Sequence, residues 1–469
     1  MSILARGLTQ KGTVVATAVH IAIRDLIDRN PIGGHQRRTL VLCFFCIVVD
    51  GLEVTVVGFL SAALKDDWAI GTAQLAPAVT AGLIGLGVGA LLGGPLGDRF
   101  GRRYVIVWAI GSFAATTLLT AAADGVLTFS LLRLLTGFGL GASMPNVAAL
   151  VSETVPTPRR RSIVAVVWSG FPSGAAIGAV VVPFVVETFG WRVAILGCGA
   201  AAAVIFVCVG TLLSESPVYL ANSGHDPARL RRYCNAIEPG SADAGSVFVR
   251  DEKVRPRAYP IGALLTPELR IGTLTLWVGF MAVMFSIYLT NTWLPYLFKV
   301  AGFATGSISI LSTALQIGGA VGCAAIGFIQ DRFGPHITLV WTSVLGGGTA
   351  AAIAVSPNTT VVLGTLIFVL GMCTNAISTG YTAVSTTFYP TDIRSTGTSW
   401  AAGMSRVGAV LGAGIGTSLA SLGVSLQQVF LLLLIPITIG ALCMAIKAVT
   451  SQRAGITPAP DNTMNGARK

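Results

Sequence analysis

Twelve apolar runs, each long enough to cross a bilayer as a helix, dominate the sequence. They lie near 39–64, 76–97, 104–123, 126–151, 162–186, 193–213, 271–298, 305–329, 337–355, 360–386, 396–420 and 427–448. A hydrocarbon core about 30 Å thick takes about 20 residues of helix, and in lipid only helices or closed barrels satisfy the backbone. The runs are too long and too continuous for the alternating strands of a barrel. Composition agrees: charged residues are 11% of the chain, under half of the roughly 25% found in soluble domains. Such a chain has too little polar surface to coat a soluble globule, so the expected fold class is an all-α polytopic membrane protein with twelve transmembrane helices.

The net charge of +11 would suggest nucleic acid in a soluble domain. Here the Arg and Lys sit in short stretches between the apolar runs, the pattern that sets membrane orientation, and no nucleic-acid partner is expected. The even-numbered loops carry sixteen of them, the odd-numbered loops only Lys65, Arg192 and Lys299. That bias puts the even loops, and with twelve spans both termini, in the cytoplasm. The first long run starts only after Arg37-Arg38, so no cleavable signal is expected. Seven of the eight Cys lie inside apolar runs, where Cys acts as a small apolar filler. Cys43 and Cys46 form a CxxC with no second pair to complete a metal site. The chain has no GxxxxGK[ST], and its four His fall outside the apolar centres. No metal, no cofactor and no enzymatic activity are expected.

The spans divide six and six about the polar stretch 214–269, which reads as a soluble linker, and the halves echo each other. Gly97-Asp98-Arg99-Phe100-Gly101 is matched by Gln330-Asp331-Arg332-Phe333-Gly334 at an offset of 233, and Pro156-Thr157 with Arg160 by Pro390-Thr391 with Arg394 at 234. Gly174-Ala175 and Gly178-Ala179 recur at 234 as Gly408-Ala409 and Gly412-Ala413. These echoes imply a duplicated six-helix unit, with substrate bound between the two bundles near the midplane. The expected organisation is a cytoplasmic arm over 1–37, bundles over 38–213 and 270–448, a cytoplasmic central loop over 214–269 and a cytoplasmic tail over 449–469. Glycines four apart (85/89/93, 170/174/178, 408/412/416) read as close-packing faces.

Gly94 to Arg103, ending Gly-Asp-Arg-Phe-Gly-Arg-Arg, resembles the signature between the second and third helices of the major facilitator superfamily, with a weaker copy ending at Gly334. Glu215-Ser216-Pro217 resembles the motif that closes its sixth helix. Within the superfamily, Asp50-Gly51-Leu52-Glu53 resembles the acidic DGxD motif of the aromatic acid:proton symporter family, with Glu53 where the common pattern has Asp. Arg133 to Asn146 is similar to that family's fourth helix, Ile23 to Pro31 to its N-terminal arm, and the surroundings of Arg394 and Arg406 to its eleventh-helix region. The resemblance implies a monomeric secondary transporter in the bacterial inner membrane that imports an aromatic carboxylate (benzoate, hydroxybenzoate or phenylpropanoate type) with protons by alternating access. The alternative is a transporter of another organic anion or a polyspecific exporter. The resemblance also implies a gating set: Asp98, Arg99, Arg102, Arg103 and Glu153, with Asp331 and Arg332 in the second copy and Arg394 in the partner surface.

The residues themselves argue the chemistry. A charge at the centre of a span costs about 2.5–3.5 kcal/mol on insertion scales and normally faces the interior. Asp50, Glu53, Arg133 and Arg406 are the four read here. Asp50 and Glu53 are i and i+3 on one helix. Two carboxylates close together in low dielectric do not both ionise cheaply, so one is expected to carry a proton across. The competing reading is a static ion pair between Asp50 and Arg133. Arg406 is the first choice for a substrate carboxylate, because its planar fork matches one; Arg133 is the second. Snorkelling to the membrane face is the alternative for Arg406. Tyr288, Asn291 and Trp293 in the seventh span suit a flat ring with polar substituents, or form an interfacial aromatic belt. Gln316 and Asn375 are uncharged polar groups that bond either a ligand or a neighbouring helix.

Overall fold

The computed structural model describes residues 20–223, 227–243, 246–248, 261–356, 359–389 and 393–453. Every expected run falls on a helix. In the first half these are α2 (Gly34–Trp68), α3 (Ala76–Phe100), α4 (Arg102–Thr120), α5 (Val126–Thr154), the pair α6 (Arg160–Trp168) and α7 (Gly170–Phe189), and α8 (Trp191–Leu212). In the second they are α11 (Arg270–Val300), α12 (Thr305–Phe333), α13 (Pro335–Val355), α14 (Thr360–Phe388), α15 (Arg394–Ser421) and α16 (Leu426–Arg453). The fifth run is broken at Ser169. Eleven spans among the described residues are long and apolar enough to cross a membrane. The segment over α15 is not among them, because Arg394, Arg406 and its many Ser and Thr dilute its apolar content. The outside of the fold is apolar, with Trp108, Leu127, Phe184, Phe328 and Trp341 all mostly exposed, as a lipid-facing surface needs.

The duplicated motif is visible in the backbone. Gly101 (φ +102°) ends α3 and begins α4, and Gly334 (φ +83°) does the same between α12 and α13. A side chain is disfavoured at either φ, so glycine permits the tight reversal. The packing repeats as well. In the first half α3 packs on α5, α2 on α7 and α4 on α8; in the second α12 packs on α14, α11 on α15 and α13 on α16. Between the halves α2 meets α11, α7 meets α12 and α3 meets α15. The glycine rows lie at these seams. A Cβ on Gly85, Gly89 or Gly93 would strike the backbone of α5, and one on Gly408 or Gly412 the backbone of α11.

The stretch after α8 is not the plain linker expected. Its described part folds into α9 (Pro217–Ser223) and α10 (Pro227–Ile237), which receive the arm helix α1 (Ile23–Arg29). Ile23, Leu26 and Ile27 pack with Leu220, Leu230 and Cys234 in a small separate core. Two-residue strands, β1 (His20–Ile21) and β2 (Val247–Phe248), pair in parallel beside it.

Candidate functional site

Asp50 and Glu53 both lie on α2 and are both buried, at 1% and 3% exposure. They do not share one partner. Three residues along a helix turn the side chain by about 300°, leaving neighbours about 60° apart around the axis, and the two carboxylates use that divergence. Glu53 pairs with Arg133 of α5, so the expected ion pair exists but on the other acid. Gly82 of α3 lies beside the Arg133 guanidinium, where an added Cβ would make only ordinary van der Waals contact with it. Asp50 instead lies in the field of Arg406 from α15, and neither of its carboxylate oxygens has a hydrogen-bond partner among the described residues. A buried polar group left unpaired is costly, which sets Asp50 apart from the paired Glu53.

Arg406 does not snorkel. Its Nη1 donates to the Tyr288 hydroxyl at 3.3 Å, and its Nη2 lies 2.8 Å from Met144 Sδ. The side chain therefore reaches from α15 past α11 to α5, across the seam between the halves. A small cavity lies beside Tyr288, lined also by Glu53, Val57, Gly82, Arg133, Gly137 and Thr292. The structure thus brings together Asp50, Glu53, Arg133, Tyr288 and Arg406 from four helices. Met144, Gly82 and Thr292 were not singled out in the sequence: none carries a charge, and Met144 is one apolar residue within the Arg133 to Asn146 stretch.

The uncharged candidates divide. Gln316 of α12 donates from Nε2 to Asn291 Oδ1 at 3.0 Å. Asn375 Nδ2 bonds back to Gly371 of its own helix at 3.1 Å. Trp293 is 1% exposed, and its indole N–H donates to the Ala413 carbonyl at 2.7 Å. That excludes an interfacial belt position and makes Trp293 a packing bridge from α11 to α15. Lys447 was missed as a fifth charge within the spans: it is buried in α16, donating to the Gly272 carbonyl at 3.1 Å above the Phe388 ring.

The signature after α3 forms a charge network rather than a row of free orienting arginines. Arg102 is buried and bridges Asp98 at 2.7 Å and Glu153 at 3.3 Å. Glu153 also accepts a short hydrogen bond from Ser216 Oγ. Arg103 donates to the Gly210 carbonyl at 2.6 Å, and its backbone N–H donates to Glu215 at 3.1 Å. Burial pushes the Glu215 carboxyl up from the usual carboxylate range, opposed by the backbone N–H groups of Ser216, Arg103 and Arg102. Arg99 is exposed and stacks over Phe100, and Arg332 stacks over Phe333 in the second copy. The side chains of Asp331 and Arg394 lie outside the described residues.

Buried, oppositely charged side chains at the seam between two sets of apolar helices define a multi-pass membrane protein with a polar centre. A family model described as Major Facilitator Superfamily matches residues 43–365 and 276–465, and the chain belongs to that superfamily. It is 34% identical to a gallate transporter of Pseudomonas putida, over 94% of this chain and 97% of that one. It is 32% identical to the 4-hydroxybenzoate transporter PcaK of the same organism, over 92% and 96%. The fold matches the solved proton:xylose symporter XylE with a TM-score of 0.64 at 15% identity, over 89% of this chain and 95% of that one. The clade of relatives is that of aromatic-acid transporters.

Proposed function

We propose that this chain is a proton-coupled importer of an aromatic carboxylate, working as a monomer by alternating access. In this reading twelve spans form two pseudo-symmetric bundles over 38–213 and 270–448 in a bacterial inner membrane, with the arm, central loop and tail in the cytoplasm. The substrates of the relatives, gallate and 4-hydroxybenzoate, supply the substrate class. The observation that carries the coupling is the split acid pair. Glu53 is paired with Arg133 within the first half, whereas Asp50 lies in the field of Arg406 of the second half and has no hydrogen-bond partner among the described residues.

The chemistry follows from that geometry. A substrate carboxylate entering beside Arg406 takes the planar fork and withdraws its charge from Asp50. Asp50 then binds a proton, since an isolated carboxylate in low dielectric is costly. With the proton and the acid both bound, the centre is neutral and the seam rearranges without moving bare charge through lipid. The experiment is uptake of 4-hydroxybenzoate into proteoliposomes under an imposed pH gradient. Asp50→Asn is expected to abolish accumulation above equilibrium while counterflow exchange persists. Accumulation that survives the substitution would end the coupling role.

A further inference from the structure

One buried polar cluster is not used by the proton step. Asn291 on α11 and Gln316 on α12 are 5% and 3% exposed. They spend one hydrogen bond on each other. Asn291 Nδ2 and Gln316 Oε1 are then left without partners among the described residues. Turning both amides over leaves the same balance: one N–H donor group and one carbonyl acceptor unmatched, side by side. Ser312, 5% exposed and four residues before Gln316 on the same face of α12, adds a hydroxyl with no partner among the described residues. Leaving three such groups buried and idle is expensive, and native interiors rarely do it.

The cluster stands where the halves meet. The Asn291 backbone carbonyl lies against Gly58 of α2, and Gly319, three residues beyond Gln316, lies against Pro172 of α7. Asn291 is also three residues beyond Tyr288, the residue that touches Arg406, hence about 4.5 Å farther along the same helix. For a carboxylate held at Arg406, the Asn291 amide thus lies less than one helical turn away along α11. The group that satisfies a paired donor and acceptor at once is a hydroxyl, which both donates and accepts.

We infer that Asn291 and Gln316 form a subsite for a ring hydroxyl, so that the transporter selects hydroxylated aromatic acids over unsubstituted ones. This rests on the aromatic carboxylate reading above and narrows it. A site built to hydrogen-bond a hydroxyl rejects an analogue lacking it far more strongly than an apolar pocket rejects an added one.

The test is equilibrium binding to the purified full-length protein of benzoate, 3- and 4-hydroxybenzoate and 4-methoxybenzoate, the last able to accept but not to donate. At least one hydroxy acid is expected to bind about tenfold or more tighter than both benzoate and the methoxy acid. Asn291→Leu and Gln316→Leu are each expected to shrink that ratio by about tenfold. Benzoate binding as tightly as both hydroxy acids would overturn the inference, as would a ratio that survives both substitutions. If either variant fails to reach the membrane, the wild-type comparison of hydroxy with methoxy acid decides alone. Binding of all four acids without discrimination sinks only this subsite, whereas binding of none sinks the aromatic carboxylate reading with it.

Discussion

At Glu53 and Arg133 two charges are nearly withdrawn from water, at 4% and 10% side-chain exposure. Deleting one member of such a pair leaves the other buried and uncompensated, which costs about 3–5 kcal/mol, whereas removing both costs far less. Glu53→Gln and Arg133→Gln are therefore each expected to lower the melting temperature in detergent markedly, and the double variant to recover most of the loss. A double-mutant cycle checks this, and simple additivity of the two losses would show that the pair is not coupled. The same comparison separates the two acids of helix α2. Asp50 has no such bonded partner among the described residues, so the cost of changing it falls on transport rather than on folding. The spacing in the sequence singled out both acids but not their partners, because the partner is set by which neighbouring helix lies on each side of α2.

The helices were legible because their apolar runs are long and continuous, and each run became helix with ends shifted by a few residues, the fifth in two pieces. Three features were not legible. The break at Ser169 is followed by Gly170 and by Pro172, which has no N–H to bond the Trp168 carbonyl, but the apolar run continues through it and hides the break. The covering of Lys447 by Phe388 depends on a residue far away in sequence. The folding of α9 and α10 depends on the arm they hold. The glycine rows, by contrast, were readable from their four-residue spacing, and they give a prediction that belongs to helix pairs. A Cβ at Gly137 of α5 would overlap the Gly82 carbonyl of α3, so Gly137→Ala must push the two helices apart, an overpacking cost of about 1–3 kcal/mol. Gly197 on α8 has open space at its Cβ, and Gly197→Ala gains helix propensity, by up to about 1 kcal/mol. Thermal melts in detergent should show the first variant falling and the second unchanged or rising. Equal effects at the two sites would mean that the α3–α5 seam is not the tight contact described.

Across the whole molecule, the arm, the central segment and the C-terminal end of α5 are tied into one assembly. Arg24 donates to the Ser152 carbonyl at 3.2 Å, Thr157 donates to both oxygens of Asp28, and Gln36 donates to the Thr154 carbonyl at 2.7 Å. Arg29 reaches Glu238 at 2.9 Å. Magnitudes decide which of these ties matters. The Arg29–Glu238 pair is largely exposed, and such pairs contribute little to stability. Ile27 is fully buried, and burying such a side chain contributes about 1.5–3 kcal/mol. The Asn30 amide and the Arg29 guanidinium hold Glu238 below the usual carboxylate range. The small contribution of this group is therefore present above its unfolded value and lost as pH falls through the lowered one, leaving neutral pH unaffected. The apolar contact governs instead. Ile27→Asp should free the arm and expose the Arg24–Asp25 bond to trypsin, as mapped by mass spectrometry of limited digests at neutral pH. Arg29→Ala should leave that bond nearly as protected as in the wild type. If Ile27→Asp resists cleavage as well as the parent does, the arm is held by its polar ties, and the small core over Ile23, Leu26 and Ile27 does not fasten it to the central segment.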